Sequence, residues 1–264
     1  MKDIAVSPDG VPIHFEVHGT GRPALVLVHG WSCDRGYWEN QLGHFARQYQ
    51  VVAVDLAGHG ESGLERRDWT MPAFGQDVAA VAEQLGLEQV VLIGHSMGGP
   101  VIVEAARLLP DRLVGLVGVD TYRTLGQIRT REEIESALAP LRADFVAATQ
   151  EFVRGMFLPS SDPTLVRRIV ADMSAAPPVV GIGAMTANRS NDQNLIAGLK
   201  ELKAPVVAIN SDYRPNDFEA AQRCGVRVHL MSGVGHFVMM EDAPTFNSLL
   251  EEAIKELVSA RAAA

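Results

Sequence analysis

Short apolar runs recur along the chain and alternate with segments in which apolar residues return every three or four positions. The runs are rich in valine and apolar on both faces, which is typical of strands in a parallel sheet covered on both sides. We predict buried strands at 24–30, 49–60, 89–95, 113–120, 204–210 and 226–231. Before them, residues 4–19 hold two strand-like runs around Asp9 and Gly10, which predict an antiparallel hairpin.

The segments between the strands carry apolar stripes at helical spacing. The stripes are Trp38, Leu42 and Phe45, then Phe74, Val78, Val81 and Leu85, and near the end Phe246, Leu249, Ala253 and Leu257. Strands that alternate with such helices predict an α/β fold, in which right-handed crossovers place helices on both faces of the sheet.

The alternation stops between Asp120 and Ala204, where a long stretch contains no strand pattern. A loop of that length is unusual inside a compact domain. Helical patterns punctuated by prolines such as Pro140 cover 130–141, 143–157, 162–176 and 177–189. We therefore predict that residues 1–120 and 201–264 form the core, and that residues 121–200 form a helical cap inserted into it.

Composition narrows the class of protein. A hydrophobic fraction of 47% is ordinary for a soluble globular chain, and the net charge of -9 disfavours nucleic acid or an anionic membrane as a partner. No apolar stretch is long enough to span a bilayer and no secretion signal is recognisable, so we expect a cytoplasmic protein. Cys33 and Cys224 lack a metal or redox spacing, and no histidine pair has a ligand spacing. We expect two free buried thiols, no metal and no cofactor.

The segment Gly94-His95-Ser96-Met97-Gly98 follows one predicted strand and opens a helical pattern. A G-x-S-x-G sequence in that context places its serine on a sharp turn, where glycines relieve the crowding. Ser96 would project at the carboxyl end of the sheet, where α/β proteins bind ligands and helix amides stabilise negative charge. Phosphate binding is disfavoured because the G-x-x-x-x-G-K spacing is absent. Ser96 is therefore the predicted nucleophile.

A serine alcohol needs a base and a site for the oxyanion. His236 is the candidate base, because it lies on a glycine-flanked loop directly after the last predicted strand. The backbone amides of Trp31 and Met97 are the candidate oxyanion donors. The side chain of Trp31 would also form one wall of the pocket.

Four motifs stand in a fixed order along the chain: His29-Gly30-Trp31, Asp55 to Ser62, Gly94 to Gly99, and Gly235-His236-Phe237. In these motifs the chain resembles the α/β-hydrolase fold family over nearly its whole length. The resemblance implies a mostly parallel sheet of eight strands, a helical cap after the sixth strand and a Ser-His-acid triad. It also implies that His29 and His59 are chiefly structural, and that His95 is the variable residue of the serine turn.

Two aspartates compete for the role of the triad acid. In most members of that family the acid follows the seventh strand, shortly after a glycine, but "VVAINSDYRPNDFEAA" lacks this glycine and Asp212 lies slightly early. Asp120 ends the sixth predicted strand, where some relatives, such as haloalkane dehalogenases and certain lipases, carry the acid. Asp217 is better explained as a helix N-cap. Asp120 is our first choice and Asp212 the alternative.

A serine nucleophile disfavours dehalogenase and epoxide hydrolase chemistry, which in this fold needs an aspartate. Ser96 with His236 fits the hydrolysis of a small-molecule ester through an acyl-enzyme. Carbon–carbon bond hydrolases, lactonases, perhydrolases and amidases share the same triad, and some receptors keep this fold as ligand sensors. The sequence carries no pattern that indicates acyl length or oligomeric state. Four cap residues would offer an adaptable apolar surface to the substrate: Met156, Phe157, Met173 and Met185.

Overall fold

The computed structural model of the protein describes residues 2–262. Its strands are β1 Lys2–Val6, β2 Pro12–His18, β3 Ala24–Val28, β4 Val51–Val54, β5 Val90–His95, β6 Leu113–Val119, β7 Val206–Ser211 and β8 Val226–Met231. They form one 8-stranded sheet in the order β1-β2-β4-β3-β5-β6-β7-β8. Strand β2 pairs antiparallel with both β1 and β4, and all other neighbouring strands pair in parallel. The predicted antiparallel opening and mostly parallel sheet are confirmed.

The helices follow the strands in the order that the stripes predict. They are α1 Glu39–Phe45, α2 Met71–Gln84, α3 Gly98–Leu108, α4 Arg131–Ala143, α5 Phe145–Arg154, α6 Pro163–Ser174, α7 Pro178–Arg189, α8 Asp192–Glu201, α9 Phe218–Arg223, α10 Val238–Glu241 and α11 Ala243–Ala262. A short 3-10 turn, Arg35–Trp38, precedes α1.

The five strands from β3 to β7 are buried along their whole length. This burial explains why their sequences show continuous apolar runs instead of an apolar-polar alternation. At the end of the sheet, β8 has one neighbouring strand; only its end residues Val226 and Met231 are buried, so the strand predicted as buried at 226–231 is partly exposed. The core therefore lies around the middle strands, and the residues that follow β3, β5, β6 and β7 meet at one carboxyl edge.

The helical segment α4 to α8 occupies the interval between β6 and β7. Within it, α7 packs on α2 and α8 packs on α3, so the last two helices of the segment rest on the core. That residues 121–200 act as a cap remains a prediction. Among residues 2–262 no single helix is long and apolar enough to cross a bilayer, and only α6 with α7, bent by 98°, meets that criterion as a pair.

The helices differ from the sequence patterns in three details. Helix α8 lies outside the predicted helical patterns, although Leu195, Leu199 and Leu202 have helical spacing; Leu199 is buried and the other two are partly buried against the core. The helical pattern predicted at 130–141 corresponds to α4, which continues through Pro140 to Ala143. One missing amide is tolerated at Pro140, and a capping box between Thr130 and Glu133 stabilises the helix start.

The third detail is the burial of one position in the stripe predicted for the last helix. In α11 the fully buried residue is Leu250, whereas Leu249 is half-buried. Both positions lie close to the spacing of one helical face, so the sequence pattern alone does not distinguish them.

Candidate active site

Ser96 occupies the turn between β5 and α3 with a φ of 53°, in the left-handed region. The backbone is crowded on both sides of this turn. A Cβ at Gly94 would lie 2.2 Å from the carbonyl oxygen of Gly98, and a Cβ at Gly98 would lie 2.6 Å from that of Val28. Only glycine fits at these two positions, because the opposing atoms belong to the backbone and cannot move aside. The glycine pattern around Ser96 is thus a steric requirement of the turn.

Left-handed backbone is concentrated near Ser96. Within residues 2–262, the non-glycine residues with positive φ are Ser32, Ser96, Asp120 and Tyr122. They follow β3, β5 and β6, so all of them lie at the carboxyl edge of the sheet. Strained backbone of this kind costs about 1–3 kcal/mol per residue and clusters at functional sites. This edge is therefore the candidate site on conformational grounds alone.

His236 lies on the loop between β8 and α10, and its Nδ1 is 2.5 Å from Oδ2 of Asp120. The other carboxylate oxygen of Asp120 accepts hydrogen bonds from the Ser211 amide at 2.8 Å, from the Ser211 hydroxyl at 3.0 Å and from the Arg123 guanidinium. Burial raises the pKa of Asp120, but the hydrogen bond to His236 and the charge of Arg123 outweigh burial and hold this pKa below its usual value. Asp120 is therefore an ionised acceptor at neutral pH.

The alternative aspartate lies away from the imidazole. Asp212 is exposed, and its Oδ2 accepts a hydrogen bond from the Ser232 hydroxyl at 2.6 Å. In the part of the chain that the structure describes, no hydrogen bond joins Asp212 to His236. Asp217 caps α9, where its Oδ1 accepts from the Ala220 amide at 2.9 Å. Of the two candidate acids, only Asp120 contacts His236.

Ser96 and His236 line one cavity of about 130 Å³, which we call the Ser96 cavity. The two side chains form no direct hydrogen bond within residues 2–262. Catalytic hydrogen bonds of this type often tighten only when substrate binds. Apolar walls come from Trp31, Phe152, Met156, Met173 and Met185. Phe157, which was also expected to face substrate, stacks instead on Phe237 with ring centroids 5.2 Å apart.

The backbone amides of Trp31 and Met97 lie directly after the ends of β3 and β5, on either side of the Ser96 turn. Both residues are buried, with 4% and 1% of their surface exposed. No hydrogen bond within residues 2–262 has either amide as its donor. Buried amides normally find an acceptor, so these two are available to an oxygen atom of a bound molecule. The indole of Trp31 is itself held in place by donating to the Gly181 carbonyl at 2.7 Å.

Three buried histidines surround the site as neutral rings. His29 donates from Nδ1 to the Gly30 carbonyl at 2.8 Å and accepts at Nε2 from the Leu56 amide at 3.0 Å. His95 donates from Nε2 to the backbone carbonyl of His236 at 3.0 Å. Burial lowers the pKa of His29 to about 4 and those of His59 and His95 to about 3. These rings shape the loops of the site.

Several residues at the site have no signal in the sequence. Arg129, Asn188 and Arg189 are polar residues that line the Ser96 cavity from the helical segment. Arg123 and Ser211 both donate hydrogen bonds to Asp120. Of these two, Ser211 could have been predicted from the sequence, because it ends β7 and neighbouring parallel strands end at the same edge of the sheet. Within residues 2–262, no group of three or more His, Cys, Asp or Glu side chains is arranged to hold a metal ion.

Comparisons with known proteins show the family of the chain. The sequence profile of the alpha/beta hydrolase family matches residues 25–248, and the chain belongs to that family. It is 27% identical over 257 residues to the dihydrolipoyllysine-residue acetyltransferase component of the acetoin cleaving system of Cupriavidus necator, covering 92% of this chain and 67% of that protein. It is 31% identical over 169 residues to lipase LipV of Mycobacterium tuberculosis, covering 63% of this chain and 64% of that protein. The chain thus spans about two thirds of the length of these curated relatives.

Solved structures share the fold across nearly the whole chain. A thermophilic esterase from Thermogutta terrifontis superimposes with a TM-score of 0.83 at 24% identity, covering 97% of this chain and 99% of that one. At that identity the likeness concerns the fold. The predicted eight-stranded α/β-hydrolase architecture is confirmed.

Proposed function

We propose that this chain hydrolyses a small carboxylic ester, with Ser96 as nucleophile, His236 as general base and Asp120 as the acid that orients the base. The observation that carries the proposal is the 2.5 Å hydrogen bond from His236 Nδ1 to Asp120 Oδ2, beside a cavity that Ser96 also lines. A carboxylate only accepts, so Nδ1 carries the proton of the neutral imidazole. The lone pair of Nε2 is then the one that can take a proton from Ser96.

Acylation follows from this tautomer. Ser96 Oγ attacks the ester carbonyl carbon while His236 Nε2 takes the hydroxyl proton, and the Asp120 carboxylate stabilises the imidazolium that forms. The carbonyl oxygen becomes an oxyanion, which the amides of Trp31 and Met97 stabilise. Removing one such donor costs roughly 10²- to 10³-fold in kcat in a serine protease. The imidazolium then protonates the leaving alcohol and an acyl-enzyme remains on Ser96.

Deacylation repeats these steps with water as the nucleophile. His236 takes a proton from water, the hydroxide attacks the acyl carbonyl, and the proton returns to Ser96 Oγ as the acid leaves. The walls formed by Trp31, Phe152 and the cavity methionines suit an apolar acyl or alcohol group. Methionine side chains adapt to groups of different shape.

The test measures turnover of p-nitrophenyl acetate, butyrate and octanoate. We expect Ser96→Ala to lower kcat by roughly 10⁶-fold, as the loss of a nucleophile does when a triad acts as one unit. Ser248→Ala, which changes an exposed serine of α11, is the matched control and should retain parental turnover. Unchanged turnover in Ser96→Ala would end the proposal. The three esters also show which acyl length the cavity accepts.

Multiple turnovers separate an esterase from a ligand sensor that keeps the same triad. An esterase releases many equivalents of p-nitrophenol per protein molecule, whereas a sensor stops after about one equivalent because the acyl group stays on the serine. Circular dichroism of each variant checks that the fold is intact.

A further inference from the structure

Arg189, the last residue of α7, lies at the boundary of the Ser96 cavity. Together with Arg129 it also lines an outer cavity of about 400 Å³ beside α4 and α8. The two arginines therefore stand between the space next to the candidate nucleophile and the surface of the helical segment. A molecule that passes from one cavity to the other meets both guanidinium groups.

The two arginines differ in how their charge is balanced. Arg129 donates from its side chain to Oδ1 of Asp192, and its amide donates to Oδ2 of the same carboxylate at 2.9 Å. The side chain of Arg189 forms no hydrogen bond or ion pair within residues 2–262, and its Nε is buried without a partner. A buried donor without an acceptor costs about 1–3 kcal/mol, and more when the group is charged. Such a group in a native structure calls for an explanation.

The charged groups near Arg189 are Arg129 and Asp192. Burial lowers the pKa of Arg189, the neighbouring charge of Arg129 lowers it further, and Asp192 acts in the opposite direction. A guanidinium nevertheless stays protonated in proteins. The hydrogen bonds of Asp192 go to Arg129, so Arg189 is left without an ion pair in the described part of the chain. Among the described residues that line the Ser96 cavity there is no aspartate or glutamate.

We propose that Arg189 binds a carboxylate on the substrate, so that the preferred ester carries a negative charge on its acyl or alcohol part. This inference rests on the proposed esterase function and names its substrate class. A guanidinium presents paired donors that match a carboxylate, and the hydrogen bonds are charge-assisted. Arg129 adds a second positive charge at the same boundary. Arg189 in this role is a specificity-determining residue that leaves the bond-breaking steps to the triad.

The experiment compares matched esters that differ in one carboxylate. For the alcohol part the pair is p-butyryloxybenzoate and its neutral amide, p-butyryloxybenzamide. For the acyl part the pair is mono-p-nitrophenyl adipate and its neutral methyl ester. Each is assayed with the parent, with Arg189→Gln, which keeps length and removes charge, and with Arg189→Lys. The control is Arg167→Gln, which removes one positive charge from an exposed position of α6.

We expect Arg189→Gln to lower kcat/KM for the charged member of at least one pair by about 10- to 100-fold, chiefly through KM. The neutral member should change less than about threefold, and Arg189→Lys should fall between parent and Gln because it keeps charge without the paired donors. Arg167→Gln should leave both members within about twofold. Equal losses for charged and neutral esters would overturn the inference, as would no loss for either.

A binding measurement keeps this inference distinct from the proposed function. Calorimetric titration of adipate and p-hydroxybenzoate into Ser96→Ala requires no turnover. If no ester is hydrolysed through Ser96 but Arg189→Gln in the same background abolishes anion binding, the esterase proposal fails and the anion site stands. If ester hydrolysis depends on Ser96 while neither anion binds and charged esters are not preferred, the anion site fails alone. Thermal melting confirms that Arg189→Gln is folded.

Discussion

His236 and Asp120 are joined by a 2.5 Å hydrogen bond although they are 116 positions apart in the chain. Asp120 follows β6 and His236 follows β8, with β7 between the two strands. Ser211, the last residue of β7, holds the carboxylate of Asp120 by donating both its amide and its hydroxyl to it. The orientation of the imidazole therefore depends on the register of neighbouring strands at the carboxyl edge.

The first prediction compares the two candidate acids. Asp120→Asn should lower kcat for p-nitrophenyl butyrate by about three to four orders of magnitude, because an amide in place of the carboxylate permits the wrong imidazole tautomer and does not stabilise the imidazolium. Asp212→Asn should change kcat by less than about tenfold, since Asp212 is exposed and bonds to Ser232.

The reverse pattern would transfer the role to Asp212, and equal partial losses would show that both aspartates act on His236. Asp120 also binds Arg123 and Ser211, so its replacement could destabilise this edge. Circular dichroism and thermal melting must therefore show a folded Asp120→Asn variant before its kcat is interpreted.

The second prediction concerns Glu241, which holds the loop that carries His236. Its Oε2 accepts from the Gly235 amide at 3.1 Å and its Oε1 from the Phe237 amide at 3.1 Å, so both neighbours of His236 are bound to one carboxylate. Glu241→Ala should lower kcat about 10- to 100-fold with KM within about threefold, because a shift of about 1 Å in a catalytic group can cost 10²-fold.

Two variants show whether this effect is positional. Glu241→Gln keeps one oxygen acceptor and should recover part of the lost kcat. Ser161→Ala removes only a hydroxyl that donates to the same carboxylate at 2.7 Å, and it should leave kcat within about threefold. A Glu241→Ala variant with lower thermal stability but parental kcat would contradict the positioning role.

The third prediction is a loss of stability in mild acid. In the folded protein burial holds the pKa of His29 at about 4 and those of His59 and His95 at about 3, against 6.5 for an ordinary histidine. Below pH 6.5 the unfolded chain therefore binds protons that the folded chain does not. The free energy of unfolding should fall as pH drops, by about 1.4 kcal/mol per pH unit for each histidine once it is largely protonated in the unfolded chain.

Urea denaturation at several pH values between 5 and 7 measures this slope. His59→Gln should reduce the slope of the unfolding free energy against pH by about 1.4 kcal/mol per pH unit, which corresponds to one proton, whatever its effect on stability at neutral pH. A variant that retains the parental slope would show that His59 is protonated in the folded state as it is in the unfolded one.

The fourth prediction is that the helical segment at 121–200 gates the Ser96 cavity. Helices α5, α6 and α7 contribute Phe152, Met173 and Met185 to the cavity wall, so a molecule attached to Ser96 would contact all three. Their amides should exchange hydrogen faster than those of β5 in the free protein, and should become protected after Ser96 reacts with a phosphonate. Core-like protection before labelling, with no change afterwards, would contradict gating.

The sequence predicted those features that depend on local chemistry. Strands buried on both faces leave continuous apolar runs, so β3, β5, β6 and β7 could be placed within a few residues, whereas β4 ends at Val54, well before the end of the predicted run at 49–60. The turn at Ser96 was readable because Gly94 and Gly98 face backbone atoms and admit no other residue. The apolar runs reflect uniform burial, and the glycine pattern reflects the backbone atoms that crowd the turn.

Features that depend on how distant segments dock could not be predicted. Asp120 and Asp212 follow adjacent strands. The carboxylate of Asp120 contacts His236 and that of Asp212 contacts Ser232, and the sequence does not show in which direction each side chain points. Arg129 and Arg189 come from a loop and a helix end whose positions depend on the packing of α4 to α8. The spacing of apolar residues along the sequence does not indicate such contacts.

The position of β8 at the edge of the sheet has a consequence for a chain emerging from the ribosome. Ser96 and Asp120 leave the exit tunnel early, and the central strands that hold them can pair before the last strand is translated. His236 follows β8, so the imidazole reaches Asp120 only after β8 has docked on β7. With the triad proposed above, a nascent chain would carry an unreactive alcohol at its serine turn, and reactivity would begin only after β8 has been translated and docked.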